Sequence, residues 1–223
     1  MTCWQPVYAI AVAAALVLPV PAPAISATPT APETAPGTFT TNNYGLSGRI
    51  PPGLFHCPYP KDWVGPDHGI AIYLSRPRAC DRLGPSAAAA DAEHLPRITI
   101  FYAFNTGDDI KEPNGDAHPP RDNAELASTV CRPPKAALPP GLRLFGAPAT
   151  GCLQVSGNRV SVVTGSIFSA SSASGGETPD RFVFVELDTT KPRYARDLQT
   201  LRAIAASLRV CGAPPPCPPF VQW

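Results

Sequence analysis

The chain has 223 residues, 18 basic and 17 acidic side chains and a formal charge of +1. That length holds one sizeable domain, or one domain with tails. With no concentrated run of positive charge, it excludes a polybasic surface for nucleic acid or membrane. Thirty prolines, many of them in 19–36, 133–140 and 214–219, mark tails and loops around a folded body.

An apolar run, 8–20 (YAIAVAAALVLPV), opens the chain. It falls short of the about 20 residues that a bilayer span needs. Ala22-Pro23-Ala24 follows in the A-x-A pattern, so 1–24 is expected to be a secretory signal peptide, although no Lys or Arg precedes Arg49. Cys3 would leave with it. Six cysteines then remain: Cys57, Cys80, Cys131, Cys152, Cys211 and Cys217. An even number in an oxidising compartment implies disulfides, three of them, with the pairing open. Without a C-x-x-C pair, and with only His56 beside a cysteine, no metal site is expected. The expected location is periplasmic or secreted, not integral to the membrane after signal cleavage.

Residues 25–41 are rich in Ala, Pro and Thr with one charge, Glu33, and read as a flexible tether. An α+β domain over 42–212 and a Pro-rich tail over 213–223 complete the division. Within the domain, 45–50 (GLSGRI) is a β-type lead-in. The alternation of 69–75 sets Ile70, Ile72 and Leu74 against Ala71, Tyr73 and Ser75, the period of a half-buried strand. In 97–104 (RITIFYAF), Ile98, Ile100, Tyr102 and Phe104 share one face. Ala87 to Ala90, between these two strands, suit a short helical turn.

Residues 105–121 read as a long polar loop. Asp108, Asp109, Glu112 and Asp116 miss the spacing of an EF-hand loop, so a solvated acidic loop is expected rather than a calcium site. His94 and His118 read as solvated loop histidines. Asp122 caps a helix, with Glu125 three residues on and Leu126 and Val130 on one face, and Pro133-Pro134 stop it. A short strand over 141–145 precedes a hairpin turning at Gly157-Asn158, which pairs Val155 with Val160 and Leu153 with Val162. Residues 165–180 read as a mobile loop, and 181–187 (RFVFVEL), apolar on both faces, as a central strand. Tyr194, Leu198, Leu201, Ala205 and Leu208 then define a helix over 192–209 whose stripe packs on the sheet.

This order predicts a mostly antiparallel sheet with a short helix and a long C-terminal helix packed on it, in one α+β domain. It resembles the Mog1/PsbP-like fold, which also ends in a long helix on a sheet. That resemblance rests on element order across 44–210 and carries no function.

Chemistry is sparse. Asp67-His68 sets a carboxylate beside an imidazole, as a general base needs, but no nucleophile elbow accompanies it. His68 reads first as a loop residue that caps the strand or touches a partner. Cys57 beside His56 reads as half of a disulfide rather than a thiol nucleophile. Tyr59 and Trp63 crowd the same 55–69 loop, and such side chains anchor interfaces and sugar rings when they do not plug the core. Catalytic residues and cofactors are therefore expected to be none. The candidate binding residues are Tyr59, Trp63, Asp67 and His68, for an unknown protein or envelope component. A hydrolase centred on Asp67 and His68 and an accessory subunit docking by a sheet edge are the alternatives.

Overall fold

A computed structural model describes residues 33–35, 37–41, 44–56, 69–77, 95–106, 110–112, 115–169 and 180–210. In chain order the first elements are β1 (Glu33–Thr34), β2 (Thr38–Thr41), β3 (Leu46–Arg49), β4 (Phe55–His56), β5 (Gly69–Tyr73) and β6 (Arg97–Phe104). A small hairpin, β7 (Ile110–Lys111) and β8 (Ala117–His118), leads into helix α1 (Asn123–Val130). Then come β9 (Arg143–Leu144), β10 (Ala147–Pro148), β11 (Thr150–Ser156), β12 (Arg159–Phe168), β13 (Arg181–Thr190), α2 (Tyr194–Ser207) and β14 (Arg209–Val210).

Seven strands form one antiparallel sheet in the order β1-β4-β5-β6-β13-β12-β11. Its inner face carries Ile70, Ile72, Ile98, Ile100, Tyr102, Val162, Val183, Val185 and Leu187, all buried. Helix α2 covers this face through Leu198, Leu201, Ile204 and Ala205. Burying the three larger of these stabilises the fold by roughly 5–9 kcal/mol relative to exposure, more than intrinsic helix propensity supplies. A three-stranded sheet, β14-β3-β2, adds Phe39 and Leu46, and the β9–β10 hairpin adds Leu144. The outcome is a mostly antiparallel α+β architecture, with two helices among the described residues.

Several expectations hold residue by residue. β6 spans the predicted 97–104, and β13 is interior to the sheet. The hairpin has the predicted register, with Gly157 at φ 57° supplying the positive angle that a two-residue turn needs. Asp122 caps α1, accepting from the backbone N–H groups of Ala124 and Glu125 at 2.8 and 2.9 Å, and Glu125 accepts from Arg121 N at 2.8 Å.

Others are corrected. The folded body starts by Glu33, not near Asn42, because Phe39 inserts fully into the core and β1 pairs with β4. Glu33–Thr34 and Thr38–Thr41 are therefore strand rather than tether. β5 is buried on both faces, with Tyr73 and Ala71 as enclosed as Ile72. The 105–121 segment contains the β7–β8 hairpin, and Glu112, its side chain 38% exposed, pairs with Arg121 at 2.9 Å, while Asp108 and Asp109 lie outside the described residues. His118 is half-buried between the Pro119 carbonyl (2.7 Å from Nδ1) and Glu112 (3.4 Å from Nε2). The 141–145 stretch is the first half of a hairpin that turns on Phe145 (φ 51°) and Gly146 (φ 81°). Packing of the Phe145 ring on Phe168, centroids 5.2 Å apart, offsets that unusual backbone angle. Residues 165–168 belong to β12. The closing helix has 14 residues, shorter than 192–209, and β14 follows it.

A buried carboxylate that the pattern did not reveal locks α2 to the sheet. Asp197 is 2% exposed. It accepts from Thr189 Oγ1 at 2.5 Å, Arg193 Nε at 3.1 Å and Arg196 Nε at 3.2 Å. Arg193 also donates to the Leu74 carbonyl, beyond the end of β5, at 3.2 Å. One carboxylate thus links the helix to β13 and, through Arg193, to β5.

Candidate functional site

The outer face of the sheet can be read row by row from the strand registers. Gly69 on β5 lies opposite Phe101 on β6, Phe101 opposite Phe184 on β13, and Phe184 opposite Gly165 on β12. One step along, Ala103 meets Phe182 and Phe182 meets Ile167. The rings of Phe101 and Phe182 are 5.9 Å apart and those of Phe182 and Phe184 5.4 Å. In the opposite direction the rows turn polar: Thr99, Glu186 and Val163, then Arg97, Asp188, Ser161 and Gln154.

Helix α1 covers only part of this face. Leu126 and Phe184 both press on Gly165, where an added Cβ would stand 2.7 Å from the Phe184 ring and 3.2 Å from Leu126. Ala127 and Cys131 close over Val163 and Cys152, and the Cys131–Cys152 disulfide fastens the helix exit to β11. Asn123 Oδ1 accepts from Ile167 N at 2.8 Å at the other end of the helix. Beyond the helix, Phe101 stays 40% exposed, one of three exposed large hydrophobic side chains among the described residues. The other two lie elsewhere: Phe104, on the rim of the inner face, stacks on Tyr44, and Val155 is on strand β11.

The polar rows are internally braced. Arg159 forks onto Asp188, with Nε donating to Oδ1 at 3.3 Å and Nη2 to Oδ2. Ser161 Oγ donates to Glu186 Oε1 at 3.0 Å, and Gln154 Nε2 donates to the Arg132 carbonyl at 3.1 Å. Ser161 has a carboxylate beside it, and the bond holds these two part-buried groups in place. Among the described residues no group of three or more His, Cys, Asp or Glu is placed to hold a metal ion, and no helix is long and apolar enough to cross a membrane.

Tyr73 sits at the enclosed end of the same face, opposite Phe55 on one side and Arg97 on the other. Burial pushes its phenol up from the ordinary value of 10.0, and the Arg97 charge and hydrogen bond oppose that only in part. A raised folded-state value keeps this contribution to stability fully present below about pH 10 and loses it as pH rises through the folded value. Stability measured by denaturant is therefore expected to fall above about pH 10, and the Tyr73→Phe chain is expected to fall less steeply. Identical alkaline limbs in the two chains would contradict this.

Of the residues the sequence singled out, Tyr59, Trp63, Asp67 and His68 lie outside the described residues, as do the signal segment, the 87–90 turn, His94, Cys57, Cys80, Cys211 and Cys217. His56 is buried on β4, opposite Glu33. Strand β5, which the chain enters on leaving 57–68, starts at Gly69 beside Phe101. Sequence reasoning missed the outer-face group of Glu186, Asp188, Ser161 and Arg159. The β12–β13 pairing that assembles it spans a connection whose length sets no register. No protein-family model, curated protein or solved structure matches the chain.

Proposed function

We propose that the protein is an exported, disulfide-bonded module of the bacterial envelope that acts by binding a protein or envelope component rather than by turnover. The observation that carries this reading is the aromatic row on the outer face, with Phe101 40% exposed and stacked beside Phe182. Rigid rings on a sheet lose little conformational entropy on docking and bury a large area. The row adjoins Gly69, so the 55–69 loop with Tyr59, Trp63, Asp67 and His68 is proposed as the other part of the same surface. Export is supported by the apolar 8–20 run and by the Cys131–Cys152 disulfide.

An edge-docking subunit is less favoured, because Ala136 pairs with Leu153 and covers part of edge strand β11. Mog1/PsbP-like kinship is proposed on element order alone and adds nothing to the functional reading. The test is affinity capture from the native envelope fraction under oxidising conditions, with a Phe101→Ala/Phe182→Ala chain alongside the wild type. A stoichiometric partner held by the wild type is expected to bind the variant at least tenfold more weakly, with unfolding unchanged apart from the lost ring area. Equal capture by both chains would move the interface off this face.

A further inference from the structure

The polar end of the outer face is a half-open cleft of about 530 Å³, a size typical of small-molecule sites. Gln154, Ser161 and Arg159 on β11 and β12 form its floor. One wall is the chain leaving α1, Arg132-Pro133-Pro134, and the other is Glu186 and Asp188 on β13. Both walls are fixed in place: the first by the neighbouring Cys131–Cys152 disulfide and the Gln154 bond to Arg132, the second by Arg159 and Ser161.

Bracing leaves specific groups unspent. Among the described residues, the Arg132 guanidinium, the Gln154 side-chain oxygen and the second carboxylate oxygen of Glu186 make no bond. A cation and an anion therefore face the cleft from opposite walls. The Gln154 bond holds the Arg132 wall to β11, and β11 and β13 are second neighbours, so the strands that carry the two walls are about 10 Å apart at the backbone. A lone phosphate or a lone cation would satisfy one wall and meet like charge at the other. A short peptide with free termini has its two charges several ångströms apart, and Pro133 and Pro134 offer apolar surface to its side chains.

We propose that this cleft binds a di- or tripeptide with free termini. The peptide carboxylate sits on Arg132, the ammonium on Glu186, and the Gln154 oxygen accepts a peptide N–H. The site shares no residue with the Phe101–Phe182 row and stands or falls separately from it.

The probes are Ala-Ala, N-acetyl-Ala-Ala and Ala-Ala amide, titrated into the oxidised mature protein by calorimetry with amide chemical-shift mapping. Ala-Ala is expected to bind saturably, shifting Gln154, Ser161 and Glu186, and each blocked form to bind at least tenfold more weakly. Arg132→Gln, at an exposed position, should erase the preference over the amide while keeping that over the acetylated form. Glu186→Gln, which still accepts from Ser161, should do the reverse. The Phe101→Ala/Phe182→Ala chain should bind Ala-Ala as the wild type does. Equal binding of free and blocked peptides, no saturable binding of Ala-Ala or Ala-Ala-Ala, or shifts centred outside the cleft would overturn the assignment.

Discussion

Replacing Asp197 with Ala is expected to cost about 3–5 kcal/mol, the penalty for removing one partner from a buried ionic group. This carboxylate is 2% exposed and holds three donors. Its loss strands the Thr189 hydroxyl, which is 2% exposed, and frees Arg193 from the position in which it also caps the Leu74 carbonyl. The two arginines reach water, with side chains 29% and 68% exposed, so they rehydrate and the cost falls nearer the lower figure. Against a total of about 5–15 kcal/mol for an ordinary domain, that is a large share. Asp197→Asn keeps the shape and an acceptor for Thr189 and should cost about half as much, since hydrogen bonds to charge are worth about 1.5–3 kcal/mol. Urea midpoints measured on the oxidised protein decide it. A change of less than about 0.5 kcal/mol, the size of a surface substitution, would mean that the carboxylate does not hold α2 to the sheet.

Removing the Cys131–Cys152 bridge is the second large effect. The cysteines are 21 residues apart in sequence, and closing a loop of that length stabilises by about 3 kcal/mol through the unfolded chain. The Cys131→Ala/Cys152→Ala pair is the appropriate variant, because both sites are buried and serine would leave hydroxyls unpaired. The melting temperature should fall by about 6–12 °C. Amide exchange should also speed up first in Asn123–Val130, because the bridge lies at the exit of α1 and fixes the helix to β11. Uniform loss of protection across the sheet would contradict the local role of the bridge, and an unchanged melting temperature would contradict its contribution to stability.

The strands were legible where one face alternates with the other. Ile98, Ile100 and Tyr102 declared the inner side of β6, and Gly157 fixed the hairpin register from which Leu153, Val155, Val160 and Val162 share a face. The α1 cap was legible because Asp122 and Glu125 act within one turn. What escaped depends on contacts distant in sequence. Phe39 stands among prolines and threonines, and only the core it enters makes Thr38–Thr41 part of the fold. Asp197 forms an i,i+4 pair with Arg193 that looks like a surface salt bridge until Thr189 and the sheet enclose it. Tyr73 looked like the wet side of a half-buried strand, yet it is enclosed, with Phe55 and Leu95 packed on its cluster. The outer-face cleft needs β11, β12 and β13 in register with the exit of α1. No single stretch of the chain contains that information. The candidate loop with Tyr59, Trp63, Asp67 and His68 was proposed from residue type, and its link to the aromatic row comes only from the pairing of Gly69 with Phe101.

Carbene footprinting tests the central claim most directly, because the three exposed large hydrophobic side chains act as internal controls for one another. Phe101, Phe104 and Val155 are 40%, 37% and 49% exposed and sit on the outer face, the inner-face rim and strand β11. On adding native envelope extract to the oxidised protein, labelling at Phe101 should drop severalfold while Phe104 and Val155 stay unchanged. Protection of Val155 or Phe104 with Phe101 still labelled would place the working surface at the edge or the rim and contradict the account.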